Sequence, residues 1–347
     1  MIKTTFTVVI IAYERKEYII NAVDSILNQS YPQDLVEIIV VKSFQDRYID
    51  KYLDQHKIIH IYCDDKSIGL KFSMGIEKSS GEIICMLEDD DQFSKDKLKE
   101  ISDVHRNHPE IDVFVNGYDI VDPKGTIQNI SYFKKNREFQ RRQHLLILGK
   151  DDYDPNLFML LNFYFNNSRF SFTKKTAILL IPFLQRLRLA IDILMPFIWI
   201  YENATIAFVP NINNKFMIRS YTHRLEKLLS SNSVNEIEKV IERDNKFLQD
   251  YYRLIDYVAE FDVQFSNFLE INALSLEINT DIMSLNRLKL LTDMKEIIRK
   301  MLNKTVNEKY KVFIKEVYKS FIPILAMSPL FFFTPMFSRK IIIRILG

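Results

Sequence analysis

The sequence is short of several residue types, and each shortage narrows what it can be. Two cysteines among 347 residues, Cys63 and Cys85, cannot build a disulfide framework, and they form neither a CxxC pair nor a zinc-finger spacing. A reducing compartment fits them, and their places on apolar strands make them core thiols. Seven glycines and ten prolines are far too few for a collagen or a low-complexity chain. The formal net charge is only +2, so no bulk charge argues for nucleic acid. A GxxxxGK[ST] loop is missing, which excludes a P-loop enzyme, and no GxGxxG follows the first apolar stretch, which disfavours a dehydrogenase. His56, His60, His105, His108 and His144 show no metal-ligand spacing. What remains, 47% apolar and 27% charged, is the composition of a folded soluble protein.

Six of the seven glycines lie at or before Gly149, so loops and close backbone approaches belong to the first part of the chain. Phe6–Ala12 is a continuous apolar run with Glu14, Arg15 and Lys16 directly behind it and no small-residue cleavage site. It reads as a buried parallel strand and not as a signal peptide. Ile19, Ile20, Val23, Ile26 and Leu27 have helical spacing. Strands at 37–41, 58–63, 83–87 and 111–116 then alternate with helices at 46–55, 70–79 and 94–107. That alternation implies right-handed crossovers and a parallel sheet, with ligands at the carboxyl ends of the strands. Residues 126–150, with Lys134, Lys135, Arg137, Arg141 and Arg142, read as a solvated basic connection. Residues 157–200 read as core, Trp199 included. Residues 235–320 contain no Gly or Pro and alternate charged and apolar positions at helical spacing, which predicts a helical domain.

The C-terminus differs in kind. Ser320–Ser338 carries no charge and holds Pro323, Pro329 and Pro335. Lys295–Gly347 has eleven Lys or Arg against three Glu, a net +8 that leaves the preceding residues at −6. A basic, apolar end beside an acidic body points to an anionic membrane surface, and the prolines favour an interfacial or re-entrant segment over a spanning helix.

The sharpest local signal is Glu88-Asp89-Asp90-Asp91, directly after the apolar strand at 83–87. Four adjacent carboxylates repel one another unless a cation or a helix N-terminus offsets them. At the end of a central strand they suit a hard divalent ion shared with substrate phosphates; the plainer alternative is an acidic cap for the following helix.

The order of motifs around this cluster resembles the family 2 glycosyltransferases. Val8-Val9-Ile10-Ile11-Ala12-Tyr13-Glu14-Arg15 is similar to that family's nucleotide-binding start. Asn28-Gln29-Ser30-Tyr31 before Glu37-Ile38-Ile39-Val40-Val41, then Gly69, Gly75 and Ser80-Gly81-Glu82-Ile83-Ile84, follow its pattern, and Leu87–Asp91 falls where its Asp-x-Asp-like metal motif ends. The resemblance covers about residues 5–120 and reaches weakly to about 225. It implies a GT-A fold over residues 1–230, a mostly parallel sheet flanked by helices, with a nucleotide-binding half to about 120 and an acceptor half beyond. A helical domain at 231–319 and a membrane-associating tail at 320–347 follow. It further implies a metal-dependent, inverting transferase that moves a sugar from a nucleotide-sugar donor to a glycan or lipid-linked acceptor on the cytoplasmic side of the membrane, as a peripheral or monotopic protein.

On that resemblance, Ala12, Tyr13, Glu14, Lys42, Asp64, Asp65, Gly69 and Asp89 bind the donor. Asp90, Asp91, Asp89 and His223 hold Mg²⁺ or Mn²⁺, Asp192 is the general base, and Arg219 and Arg169 reach the diphosphate or acceptor. Asp192 stands alone between apolar helical turns, where burial would raise its pKa toward that of a useful base. Lys42 takes the place of an Asp that reads the nucleobase in the family. A cation cannot accept a bond from a uracil ring N–H, which leaves Asp64 or Asp65 to reach the base or ribose. Two other readings stay open: a non-catalytic nucleotide-sugar binder or membrane scaffold of the same fold, and a sugar nucleotidyltransferase. The latter is disfavoured because the turn after the first strand lacks a glycine-rich loop.

Overall fold

The computed structural model describes residues 4–13, 15–122, 125–128, 131–161, 166–217 and 234–284. The chain divides into two compact units, one of Met1–Tyr153 with Leu157–Arg219, the other of Asp154–Asn156 with Ser220–Gly347.

The first unit is built on an eight-stranded sheet. Strands β1 (Phe6–Ala12), β2 (Val36–Lys42), β3 (Ile59–Tyr62) and β4 (Ile83–Glu88) run parallel, with β1 between β2 and β4 and β3 outside β2. Every residue of β1 is buried, as an uninterrupted apolar run requires when both sheet faces are covered. Helices α1 (Ile19–Leu27), α2 (Arg47–Gln55) and α3 (Ile68–Lys78) make the crossovers. α1 buries Ile19, Ala22, Val23 and Ile26, one face of a 3.6-residue repeat. α2 starts where it does because the Asp46 carboxylate accepts the N–H groups of Tyr48 and Ile49 at 3.1 and 3.3 Å. Gly75 lets α3 lie directly on β1, since a Cβ there would come within 2.2 Å of Val9 Cγ1.

Beyond β4 the simple alternation ends. Strand β5 (Val113–Val121), reached through α4 (Lys97–Asn107), does not pair with β4. Strand β7 (Phe170–Thr173) inserts between them, antiparallel to both. Strand β8 (Ile206–Met217) lies parallel to β5, and β6 (Leu146–Leu148) closes that edge antiparallel to β8. The sheet is mostly parallel with two antiparallel members. The four residues of β7, Phe170-Ser171-Phe172-Thr173, alternate apolar and polar side chains but are too few to announce this pairing. The basic connection at 126–150, read from sequence as a solvated loop, holds helix α5 (Ser131–Arg141). Its Arg137 is buried, and its Arg141 donates to Asp119 at 2.8 Å. Helices α6 (Pro155–Leu160), α7 (Lys174–Leu184) and α8 (Ile191–Tyr201) follow in chain order. Trp199 of α8 is fully buried, edge-on to Phe170 with ring centroids 4.9 Å apart.

In the second unit, helices α9 (Val234–Ala259) and α10 (Val263–Ser284) bury Leu254, Val258, Phe265 and Phe268. Asp262 starts α10 by accepting from the N–H of Phe265 at 2.9 Å. Among the described residues no helix is long and apolar enough to cross a membrane. The basic apolar tail at 320–347 lies outside the described residues.

Candidate active site

Strands β1 and β4 are neighbours in register, so the segment after Ala12 and the carboxylates after Leu87 emerge together at one end of the sheet. Ala12 is fully buried, and its carbonyl accepts from Ser43 N at 3.0 Å. The next N–H, that of Tyr13, donates to Asp89 Oδ2 at 3.2 Å. Arg15 then places its guanidinium between two carboxylates, 2.6 Å from Asp89 Oδ1 and 3.0 Å from Asp90 Oδ2. Asp89, Asp90 and Asp91 are all buried.

A tight turn supports the cluster from the other side. Asn166 has a left-handed backbone (φ 65°) and leads into the short 3-10 turn Asn167–Arg169. Asn166 Nδ2 and Ser168 Oγ donate to Asp91 Oδ2 at 2.8 and 2.6 Å, and Met217 N donates to Asp91 Oδ1 at 3.1 Å. Asn167 Nδ2 donates to Glu88 Oε1 at 2.8 Å. The Ser168 carbonyl is itself held by Lys97 Nζ at 2.9 Å and by Asn214 Nδ2 at 2.5 Å. The N–H of Asn166 donates to Asp192 Oδ2 at 3.1 Å, in the first turn of α8. One residue therefore joins Asp91 of the cluster to Asp192, although 101 positions separate them in the sequence.

Burial and mutual repulsion make these carboxylates hard to ionise. Loss of water around Glu88, then Asp90 and Asp91 beside it, push its pKa up to about 8. Burial raises Asp89 to about 7 against the opposing pull of Arg15, and raises Asp91 to about 7 with the help of Asp90. Burial alone would lower Arg15, but Asp90, Asp89 and Glu88 hold it above its ordinary value. Lys97, fully buried, is lowered to about 7 by loss of water, with Arg169 nearby adding to the effect.

The carboxylates bind protons more tightly folded than unfolded. Their contribution to stability is full below the unfolded values near 4 and is lost as pH rises through about 7 to 8. In chelator-treated buffer the melting temperature should therefore fall between pH 5.5 and 8.5, by at least about 3 °C at the usual 2–4 °C per kcal/mol. The fall should be smaller in Glu88→Gln, whose amide oxygen still accepts from Asn167. Mg²⁺ or Mn²⁺ should restore stability most at the alkaline end. A pH-independent melting curve, identical with and without the metals, would refute this.

A hard divalent ion fits this donor set in charge and in chemistry. The oxygens are carboxylates, they carry surplus negative charge in a partly dry place, and Asp89 and Asp90 already converge on one cationic group. Among the described residues no three Asp, Glu, His or Cys side chains ring a single point as a complete protein shell. Mg²⁺ ordinarily takes only one or two carboxylates and fills the rest with water and phosphate oxygens.

The other expected residues fall in different places. Lys42 is buried at the end of β2, bonded to Asp50 Oδ1 at 2.8 Å and to the Phe44 carbonyl at 3.0 Å, so its ammonium is engaged within the fold. Asp65 accepts from Ser67 N at 2.6 Å at the entry to α3, and Asp64 is exposed after β3. Gly69 is packed: its N–H donates to the Leu187 carbonyl at 3.2 Å, and a Cβ would meet the Leu184 carbonyl oxygen at 2.1 Å. Its smallness serves helix packing, which needs no donor contact. Arg169 is fully buried, with Nε on the Asn116 carbonyl at 2.6 Å, Nη2 on the Leu161 carbonyl at 3.0 Å and its guanidinium over the Tyr118 ring. That placement fits an internal brace and not a diphosphate contact. Glu14, Arg219 and His223 lie outside the described residues. Sequence reasoning overlooked Arg15 as the counter-ion and Asn166, Ser168 and Lys97 as supports. For Arg15, the signal was a cation three residues past the first strand; nothing local marks the other three.

With this geometry in hand, comparison with known proteins is specific. Residues 7–168 match glycosyl transferase family 2. The chain is 30% identical over 111 residues to the amylovoran biosynthesis glycosyltransferase AmsB of Erwinia amylovora, covering 28% of this chain and 34% of that protein. It is 28% identical over 112 residues to the glucosyl-dolichyl phosphate glucuronosyltransferase of Haloferax volcanii, covering 31% and 36%. The matches thus span about a third of the length of these curated relatives. The crystal structure of S. aureus TarS 1–349 in complex with UDP-GlcNAc superposes with a TM-score of 0.50 at 16% identity over 91% of both chains, a likeness of fold. Strand order, acidic cluster and sequence match agree: residues 7–168 of this chain are similar to glycosyl transferase family 2, and the enzymes it resembles are glycosyltransferases.

Proposed function

We propose that the protein transfers a sugar from a nucleotide-sugar donor to a hydroxyl acceptor, with inversion at the anomeric carbon. The observation that carries this reading is the Asn166 joint, which fixes Asp192 beside the acidic end of β4. Asp192 takes the proton of the acceptor hydroxyl, whose oxygen attacks the anomeric carbon as the bond to the nucleoside diphosphate breaks. Asp90, with Asp89 and Asp91, would hold Mg²⁺ or Mn²⁺, which when bound stabilises negative charge on a leaving diphosphate. Arg15 adds positive charge at the same place, and the Asn166–Arg169 turn keeps the carboxylates from drifting apart.

With Lys42 engaged by Asp50, Asp64 and Asp65 at the end of β3 are left to select the nucleoside. TarS was crystallised with UDP-GlcNAc, which supports a nucleotide-sugar donor here without naming it. The uncharged Ser320–Ser338 stretch and its basic flanks support a glycan or lipid-linked acceptor at the cytoplasmic membrane surface.

A donor-hydrolysis screen across nucleotide sugars with Mg²⁺ and Mn²⁺ tests the reading. At least one donor should turn over only with metal, and Asp90→Asn should lower that rate by 10²-fold or so, as loss of one electrostatic stabiliser does. Donor binding without turnover, unaffected by Asp90→Asn, would instead identify a non-catalytic member of the fold.

A further inference from the structure

A cavity of about 670 Å³ in the first unit is lined in part by Gln92, Phe93, Ser94 and Lys95, the segment that follows Asp91. None of the four clustered carboxylates lines it, nor does Asp192. One wall is the polar stripe of α1 and its end, where Asn21, Asp24 and Asn28 stand three and four residues apart and so share a helix face. The floor is rigid: Gln92 and Lys215 exchange backbone hydrogen bonds of 3.0 and 2.8 Å in an isolated antiparallel bridge. Asp119, fastened by Arg141 at 2.8 Å, closes another side.

The chemistry of this wall is unlike that of an apolar ligand pocket, whose lining is predominantly hydrophobic. Only Phe93 and Ile127 among the lining residues are apolar, and Phe93 is almost fully buried. The rest supply carboxamides, hydroxyls, carboxylates and amines together. Such a surface does not select by one sign of charge. It matches a ligand that donates and accepts at many closely spaced points, as sugar and polyol hydroxyls do. Asp24 keeps one carboxylate oxygen on the Tyr52 hydroxyl, and Asn28 Nδ2 donates to the Asp24 carbonyl at 2.8 Å, so both are oriented before any ligand arrives. Lys95 and Lys215 have no ion-pair partner among the described residues and are exposed at the rim. The volume lies within the ordinary range of small-ligand sites.

We infer that this cavity binds a hydroxyl-rich oligosaccharide or polyol chain, holding the distal part of the acceptor while its reacting hydroxyl lies near Asp192. Its assignment to the acceptor rests on the transferase reading, whereas the binding itself does not. The full chain, fluorescently labelled, is applied to a printed panel of neutral and acidic oligosaccharides and polyols without donor or metal. The tightest neutral binder is then titrated calorimetrically into wild type, Asn21→Trp and Lys215→Ala. Asn21 and Lys215 are exposed, so both variants should melt within about 2 °C of wild type; Asn28→Tyr replaces either that does not.

At least one neutral oligosaccharide or polyol should bind, with affinity reduced tenfold or more in both variants. No neutral binder on the panel, binding by acidic chains only, or affinity undiminished in the variants would each overturn the proposal. Failure of the transferase reading would appear separately, as absence of metal-dependent donor turnover, and would leave the binding result standing.

Discussion

Asp192→Asn should lower the transfer rate by about 10²–10⁴ while leaving nucleoside diphosphate affinity near wild type, because removal of a general base costs on that order. The substitution is close to shape-neutral. Asp192 accepts the Asn166 N–H through one side-chain oxygen, and an asparagine carbonyl can do the same. The Asn166 joint should therefore survive, and with it the support of Asp91. What disappears is the ability to take a proton. The discriminating measurement is kcat with saturating donor and acceptor beside calorimetric binding of UDP or another nucleoside diphosphate. Wild-type kcat would remove Asp192 from the chemistry. A large loss of diphosphate affinity would move it into the donor site.

Arg169→Ala should act on folding rather than on donor recognition. The side chain is fully buried and satisfies the carbonyls of Asn116 on β5 and Leu161. Truncation leaves both acceptors without that donor in a place water does not reach, and empties the volume over the Tyr118 ring. Two buried acceptors left unsatisfied cost about 1–3 kcal/mol each, and the emptied volume adds to that, which corresponds to a melting temperature lower by about 10 °C. Arg169→Lys should fall between, since one ammonium cannot reproduce the forked geometry of a guanidinium. Differential scanning calorimetry separates this from a diphosphate role: an unchanged melting temperature with weakened UDP binding would show that Arg169 faces the ligand after all.

The same residue shows where sequence reasoning stops. Arg169 sits one position before β7, and in isolation a cation beside a polar turn reads as a ligand contact. Only the insertion of β7 between β4 and β5 carries it under the sheet and closes Asn116, Leu161 and Tyr118 around it. Lys42 follows the same logic. Its place at the end of β2 is legible in the sequence, but its engagement with Asp50 depends on how α2 packs. Gly69 likewise keeps its glycine for the Leu184 and Leu187 carbonyls, which lie more than a hundred positions away.

The amino-acid order by itself determined the alternating strands and helices to residue 107 and the emergence of Glu88–Asp91 at a strand's carboxyl end. Both rest on local physics: an apolar run needs two covered faces, and side chains that repel must leave the sheet where something can offset them. Tertiary structure alone decided that Arg15 is the offsetting cation, that Asn166 ties Asp91 to Asp192, and that Lys97 and Asn214 clamp the turn between them. Those are single polar contacts across 26 to 75 positions. They leave no periodic trace, because their energy depends on where the chain returns and not on which residue comes next.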